Sequence, residues 1–268
     1  MNRIVAFLAL IVVAFAVFIG VQAGKQRNRS TAAAPAAETD TMLALTTESG
    51  DLVRVRRSTL PAPPPKDYAV ITQVIAESQG ISYLSEVLEN RGGHVARWID
   101  RRDNPITVWI QKSPKGVRDF WPDYPTLARN AFYTWSNAGI PLRFLFIDDS
   151  ASAEVRLRWV ENFPDAAAGK TYWARDVNWW ILGADIELSL HSQAGEAYDR
   201  EAVHAIALHE VGHLIGLDHT NDTANIMARR VQTLKLSAAD LKTAHLIYKL
   251  PPGATTASGP ATGATRVP

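Results

Sequence analysis

Three histidines and a glutamate near the carboxyl-terminal third of the chain have the types and spacing of a metal site. His209 and His213 are four residues apart, so on a helix their side chains project from one face. Glu210 is adjacent, and His219 follows Gly216, a residue type that lets a chain leave a helix in a left-handed conformation. Three neutral imidazoles with an open fourth position are the donor set of a catalytic zinc ion. A neighbouring carboxylate can act on water without ligating the metal.

Two other interpretations fit the same pattern of residues. A buried helix carrying hydrogen-bonded histidines would explain the spacing without any metal. A zinc site that has lost catalysis would keep the three histidines but would have no use for Glu210. A purely structural zinc site usually takes a fourth protein ligand, so the spare carboxylate favours a catalytic site.

The pattern H-E-x-x-H-x-x-G-x-x-H resembles the metzincin metallopeptidases. Their second mark is a methionine turn, and here Asn225-Ile226-Met227-Ala228 places Met227 eight residues after His219. That short spacing, with Thr220 directly after the third histidine, is similar to the matrixin branch, and the resemblance covers about residues 105–250.

The resemblance implies one catalytic Zn²⁺ held by His209, His213 and His219. Glu210 would take a proton from the zinc-bound water and later deliver it to the leaving amine. Met227 would form a floor beneath the metal without ligating it, and Gly216 would provide the turn.

The resemblance also implies a zinc-dependent endopeptidase that acts on a protein or peptide, and the uncharged N-terminal run 4–23 predicts that it is exported. An extended substrate would pair with an edge strand near Thr171–Arg175, with residues 229–236 walling the pocket beside the zinc. Two alternatives stay open: a membrane-tethered, zinc-containing peptide-binding module without turnover, and a processing protease for a single partner. Cleavage specificity and oligomeric state stay open as well.

The sequence departs from the matrixin pattern where that family binds its additional metal ions. Matrixins bind a second, structural zinc and calcium through His and Asp residues around the fifth strand. Residues 172–180 contain no histidine, so we expect no structural zinc, and calcium binding is doubtful. Trp179 and Trp180 are expected either to replace the metal with apolar core packing, which is the preferred interpretation, or to contact substrate. His204 is interpreted as structural, whereas His191 is interpreted either as structural or as a substrate contact.

Periodicity predicts strands and helices in an order that agrees with the matrixin catalytic domain. The resemblance then implies an α+β fold, a metzincin-like catalytic domain with a twisted five-stranded mixed sheet, a long active-site helix and a C-terminal helix, preceded by a helical segment. Strands are predicted at 106–110, 142–146, 155–159, 171–174 and 186–190. A helix follows the first strand, a second runs from the N-cap Asp199 to about Leu217, and a third runs from the capping pair Ser237 and Asp240 to about Leu250.

Composition is that of a globular protein, with 47% hydrophobic and 21% charged residues. A net charge of +1 gives no support to nucleic-acid binding, and the absence of cysteine excludes disulfides and thiol chemistry. The predicted organisation is a signal peptide or membrane anchor at 1–23, an Ala/Pro-rich linker at 24–67, a helical brace or pro-segment at 68–103, the peptidase domain at 104–250 and a disordered tail at 251–268.

Two of these segments keep alternative interpretations. The uncharged run 4–23 is long enough to span a bilayer, yet Val21-Gln22-Ala23 offers a cleavage site, so the domain is either anchored or secreted after cleavage near Ala23. Residues 68–103 lie where matrixins carry an inhibitory pro-segment. That pro-segment blocks zinc with a cysteine, so the same latency mechanism cannot operate here.

Overall fold

The computed structural model describes residues 43–46 and 52–56, for which it gives the backbone, and residues 58–256. The predicted anchor or signal peptide, much of the predicted linker and residues 257–268 lie outside the described residues. The strands are β1 Leu43–Thr46, β2 Leu52–Arg56, β3 His94–Val95, β4 Arg101–Ile110, β5 Leu142–Phe146, β6 Val155–Val160, β7 Gly169–Asp176, β8 Ile181–Ser189 and β9 Gly253–Ala254. The helices are α1 Tyr68–Glu77, α2 Leu84–Asn90, α3 Tyr124–Ser136, α4 Arg200–Leu214 and α5 Ala238–Lys249.

Among the helices of the described ranges, none has both the length and the apolar character needed to cross a bilayer.

A mixed sheet forms the centre of the domain and confirms the predicted α+β class. Five of its strands lie in the order β5-β4-β6-β8-β7, with β7 antiparallel to its neighbour β8 and the other pairs parallel. Two further strands extend the sheet beyond β7, because β2 pairs in parallel with Ala174–Asp176 and β1 pairs antiparallel with β2. The five predicted strands are all present: four lie within a strand of the structure, and 186–190 overlaps β8, which ends at Ser189.

Alternation along β6 shows how the sequence builds one buried face. Val155, Leu157 and Trp159 are buried, while Arg156 and Arg158 point the other way, where both lie within ion-pair distance of Asp185. Successive side chains of a strand point to opposite faces, so this pattern gives a strand half-buried against the helices. The indole nitrogen of Trp159 donates to the Gln111 carbonyl at 2.8 Å, which satisfies its one polar atom.

Helix α4 is the element that the rest of the fold surrounds. Ten of its fifteen residues are buried, which is typical of a helix covered on nearly every side. The side chain of Asp199 accepts from the Ala202 backbone N–H at 2.8 Å, confirming the predicted N-cap. Helix α3 packs alongside, where the Trp135 indole donates to the Leu208 carbonyl at 2.9 Å.

The structure corrects several predicted boundaries. Strand β4 begins at Arg101, before the predicted domain start at 104, and two strands lie inside the predicted linker. Helix α4 ends at Leu214 and not near 217. The predicted tail begins too early, since β9 pairs with β3 and Thr255 is buried.

Helices α1 and α2 lie within the predicted helical segment 68–103. Helical spacing of apolar residues selects Val70, Val74 and Ile75 as one face of α1. Val74 and Ile75 pack against the core beside the buried Ile71, whereas Val70 is 53% exposed. The same spacing selects Ile81, Leu84 and Leu88 for α2; Leu84 and Leu88 are buried, whereas Ile81 lies before the helix and is exposed. Periodicity therefore indicates most of the apolar side chains that face the domain and fails at the first residue of each pattern.

Asp240 joins three parts of the domain and is fully buried. Its Oδ2 accepts from the backbone N–H groups of Ser237, at 2.8 Å, and Ile226, at 2.9 Å. Its Oδ1 accepts from the Tyr83 hydroxyl at 2.8 Å, and burial followed by the adjacent Asp240 raises the pKa of that tyrosine well above its ordinary value. Ser237 and Asp240 form the predicted capping box.

We predict that Asp240→Ala lowers the free energy of unfolding by about 3 kcal/mol, because three buried donors lose their acceptor. Asp240→Asn is the matched control, since an amide keeps one acceptor oxygen and adds a donor that can face the Tyr83 hydroxyl. Urea unfolding followed by tryptophan fluorescence measures both. An Asp240→Ala protein as stable as Asp240→Asn would contradict this role.

Candidate zinc centre and active site

The three predicted metal ligands converge on one point. The Nε2 atom of His213 lies 3.1 Å from that of His209 and 3.3 Å from that of His219. Two nitrogens bound at about 2.0–2.1 Å to one tetrahedral zinc lie about 3.3–3.4 Å apart. The spacing of the imidazoles therefore fits zinc, and these three are the group of potential metal ligands found among the described residues.

The outer nitrogens of two ligands are held by backbone carbonyls, which sets the tautomer of each ring. His209 Nδ1 lies 2.7 Å from the Ile226 carbonyl and His213 Nδ1 lies 3.2 Å from the Leu217 carbonyl. Each Nδ1 therefore carries the proton, and each Nε2 presents a lone pair to the common point. Burial lowers the pKa of His209 to about 4 and that of His213 well below its ordinary value, so both rings are neutral near pH 7.

A glycine turn brings the third ligand back to the first two. Gly216 has φ +103°, and the N–H groups of Gly216 and Leu217 bond to the carbonyls of His213 and Gly212, each at 3.0 Å. This is a Schellman motif, so Gly216 ends the helix as predicted. A Cβ at Gly216 would also overlap the carbonyl oxygen of Ala96, a close approach that only glycine permits.

The predicted methionine turn lies directly against the metal-binding helix. Met227 is fully buried, and a Cβ added at Gly212 would overlap its sulfur. The Met227 carbonyl accepts from the Thr220 N–H at 3.0 Å, which joins the turn to the residue after His219. Met227 therefore packs beneath the helix between His209 and His213, and the turn supplies the Ile226 carbonyl that orients His209.

Glu210 lies in the same cleft, and its carboxylate is held by strand β7 and not by the segments that orient the histidines. The Thr171 hydroxyl on β7 donates to Glu210 Oε2 at 2.7 Å, and Glu210 is 4% exposed. Gly169, two residues earlier on β7, lies so close that a Cβ there would come within 2.5 Å of Glu210 Oε1. The carboxylate is thus confined between the helix and the sheet edge.

A cleft of about 1640 Å³ contains these groups. His209, Glu210, His213 and His219 line it, together with residues 169–173 of β7 and the segment 229–234. Both walls predicted from the sequence are therefore present. The predicted substrate strand needs one correction, because β2 already pairs with Ala174–Asp176 of β7.

The family model for matrixin matches residues 98–249, more than half of the chain and the whole of this site. The chain belongs to the matrixin family. No curated protein matches the sequence. The family normally binds zinc, in agreement with the geometry of the three histidines.

Two other histidines singled out from the sequence, His191 and His204, do not line the cleft of the matrixin site. His191 is 1% exposed and is held by Asp119 Oδ2 at 2.8 Å, away from the cleft, so the structural interpretation is correct. His204 Nδ1 lies 3.1 Å from the Leu127 carbonyl and is also structural.

The two tryptophans of the β7–β8 turn have different environments. Trp180 is 4% exposed and packs in the core as expected. Trp179 is partly buried and packs against the core as expected, but it also lines the cleft, and it stacks on His94 with ring centroids 4.3 Å apart. The guanidinium of Arg175 also lies over the Trp179 ring, with its Cζ 3.8 Å from the ring centroid.

Three residues of this matrixin site were not predicted from the sequence. Thr171 and Gly169 position Glu210, and Asp218 accepts from the His219 N–H at 2.7 Å. Nothing in their local sequence marks Thr171 or Gly169. Asp218 offered a weak signal in the sequence, as a carboxylate directly before His219 within the motif, and the structure buries it.

We predict that Gly169→Ala lowers peptide cleavage about 100-fold, since displacement of a reacting group by about 1 Å costs that much. Zinc affinity should change little, because the three atoms nearest to the added methyl group all belong to Glu210, which is not one of the three histidines. Gly195→Ala is the control: its φ of +83° strains the backbone, but its Cβ would meet nothing within 4 Å. Cleavage rates and zinc titration of the three proteins test this. Equal losses in both variants would indicate general destabilisation.

Proposed function

We propose that the chain is an exported, zinc-dependent endopeptidase that hydrolyses internal bonds of a protein or peptide. The observation that carries the proposal is the pairing of three converging imidazoles with a separately held carboxylate, Glu210, in one cleft. A structural zinc site has no use for that carboxylate.

Zinc held by His209, His213 and His219 would supply a Lewis acid and make hydroxide available near neutral pH. Glu210 is the acidic side chain of the cleft that directly follows the ligand His209 on helix α4, so it is assigned as the general base. It takes the proton of the attacking water and returns it to the departing amine. Thr171 keeps one oxygen of the carboxylate in place while the other is directed to the reaction.

The size and walls of the cleft favour a polymer. Its volume of about 1640 Å³ exceeds the roughly 300–1,000 Å³ of typical small-molecule sites. Residues 169–173 of β7 line it, and an extended peptide can add to such an edge through main-chain hydrogen bonds. Main-chain pairing along the strand does not require a chain end, which supports internal cleavage.

We predict that the full-length protein, purified in mild detergent, binds one zinc per chain and cleaves members of a mixed peptide library. Glu210→Gln should reduce cleavage by at least about 100-fold, as expected for loss of a general base. Its zinc content should stay the same, since Glu210 is not a ligand. Metal analysis and mass spectrometry of the digested library provide the two readouts.

Other results would favour the alternatives. A wild-type protein that holds zinc and binds peptides without cutting any would be a peptide-binding module. Cleavage confined to one partner protein would indicate a dedicated processing protease. Equal cleavage by wild type and Glu210→Gln would exclude Glu210 as the base.

Export is a separate part of the proposal and rests on the apolar run 4–23. We predict that the catalytic domain lies outside the cytoplasm, either anchored by this run or released by cleavage near Ala23. Protease added to intact cells should digest the domain, and the mass of the isolated chain distinguishes anchor from cleaved signal. A domain protected until the cells are lysed would contradict export.

A further inference from the structure

Arg91, which directly follows helix α2, binds the turn that carries the third histidine. Its Nη1 donates to the Gly216 carbonyl at 2.6 Å and its Nη2 donates to the Leu217 carbonyl at 2.7 Å. Its Nε donates to Asp218 Oδ2 at 3.1 Å. Arg91 thus contacts three consecutive residues that lead directly into His219.

These contacts are shielded from solvent. The side chains of Arg91 and Asp218 are 7% and 9% exposed. An ion pair at a protein surface contributes little, whereas a buried carboxylate and buried carbonyls depend on their partners. The guanidinium is suited to the task because it presents five donors in a planar fork, which a lysine cannot reproduce.

Helix α2 holds the other side of the same turn. Glu86 accepts from the Thr220 hydroxyl at 3.0 Å and from the Asn221 N–H at 2.8 Å. The Asn90 side-chain amide donates to the His219 carbonyl at 3.2 Å. Residues 86–91 therefore bond to every residue from 216 to 221.

Arg91 is connected to two of the histidines through one intermediate group each, Asp218 and the Leu217 carbonyl. Asp218 uses one oxygen for Arg91 and the other for the His219 N–H, so the ion pair fixes the backbone of the ligand. The Leu217 carbonyl, which Arg91 also binds, is the group that orients His213 through Nδ1. One guanidinium thus influences two of the three ligands.

We propose that Arg91 is a positioning residue of the zinc centre, and that the segment 84–91 is a permanent part of the working enzyme and not a removable pro-segment. The inference rests on the proposed function. It decides between the two interpretations that the sequence left open for residues 68–103. An inhibitory segment must leave without disturbing the metal, whereas this one holds the metal ligands in place.

Zinc affinity is the decisive measurement, made on the full-length protein in detergent by competition with a chromophoric chelator. Arg91→Ala should weaken zinc binding about 10- to 100-fold, the usual effect of removing a group that orients metal ligands. Arg91→Lys keeps the charge but loses the fork, so it should rescue only part of the affinity. Glu86→Gln, a milder change in the same segment, should weaken binding to a smaller extent and covers the case in which Arg91→Ala does not fold.

Arg101→Ala is the matched control. Arg101 also donates to two backbone carbonyls, those of Asn104 and Pro105, and forms an ion pair with Glu154, but it does not line the cleft. Its replacement should lower thermal stability and leave zinc affinity within about twofold, because the two sites share no partner. A loss of affinity equal to that of Arg91→Ala would mean that the effect is general destabilisation, and would overturn the proposal.

Two further readouts complete the test. The absorption spectrum of the Co²⁺-substituted protein should change in Arg91→Ala, since it reports the arrangement of the ligands. Cleavage should fall in that variant, whereas an inhibitory segment loosened by the same change would make cleavage rise. Unchanged zinc affinity and an unchanged Co²⁺ spectrum in both Arg91→Ala and Glu86→Gln would overturn the inference. A wild-type protein that binds zinc but cleaves no peptide would instead contradict the proposed function. The zinc affinities of the variants would still test whether Arg91 positions the ligands.

Discussion

Three imidazole nitrogens held 3.1–3.3 Å apart are costly to assemble without a metal, because their lone pairs point at one another and two of the rings are buried deeply enough to depress their pKa. Each ring therefore needs an orienting partner. His209 has the Ile226 carbonyl, His213 has the Leu217 carbonyl, and the backbone of His219 has Asp218. These partners come from segments that only the folded chain brings together.

Much of the architecture can be understood as support for that arrangement. Asp240 binds the Ile226 N–H, and through Tyr83 it connects the last helix with the start of α2. Helix α2 and Arg91 then hold the turn from the opposite side. The three histidines are consequently supported from before and after them in the chain, and the sheet contributes the Thr171 hydroxyl that holds the Glu210 carboxylate.

Local patterns in the sequence predicted the groups whose spacing is set by one element. The ligands on α4, the glycine turn, the capping box at Ser237 and the alternation of β6 all depend on residues a few positions apart. The five-stranded core followed from the same signals together with the family resemblance. Metal content, activity and export stay predictions.

Contacts between distant segments could not be predicted in this way. Thr171 and Glu210 are 39 residues apart, and Arg91 and Asp218 are 127 apart. Periodicity carries no information on such pairs, which depend on how strands and helices are placed relative to each other. The exposure of Val70 and the position of Trp179 in the cleft could not be predicted for the same reason, since an apolar residue type does not reveal which neighbour will cover it.

The pairing of β2 with the end of β7 has a consequence for the sheet as a whole. An unpaired edge strand is a template for any extended chain, including another copy of the same protein. Strand β2 covers Ala174–Asp176 and leaves residues 169–173, a stretch of about 16 Å at roughly 3.3 Å per residue. The sheet thus keeps open only a short length of edge, inside the cleft, where an extended peptide can reach it but the flat edge of a second sheet has little to pair with.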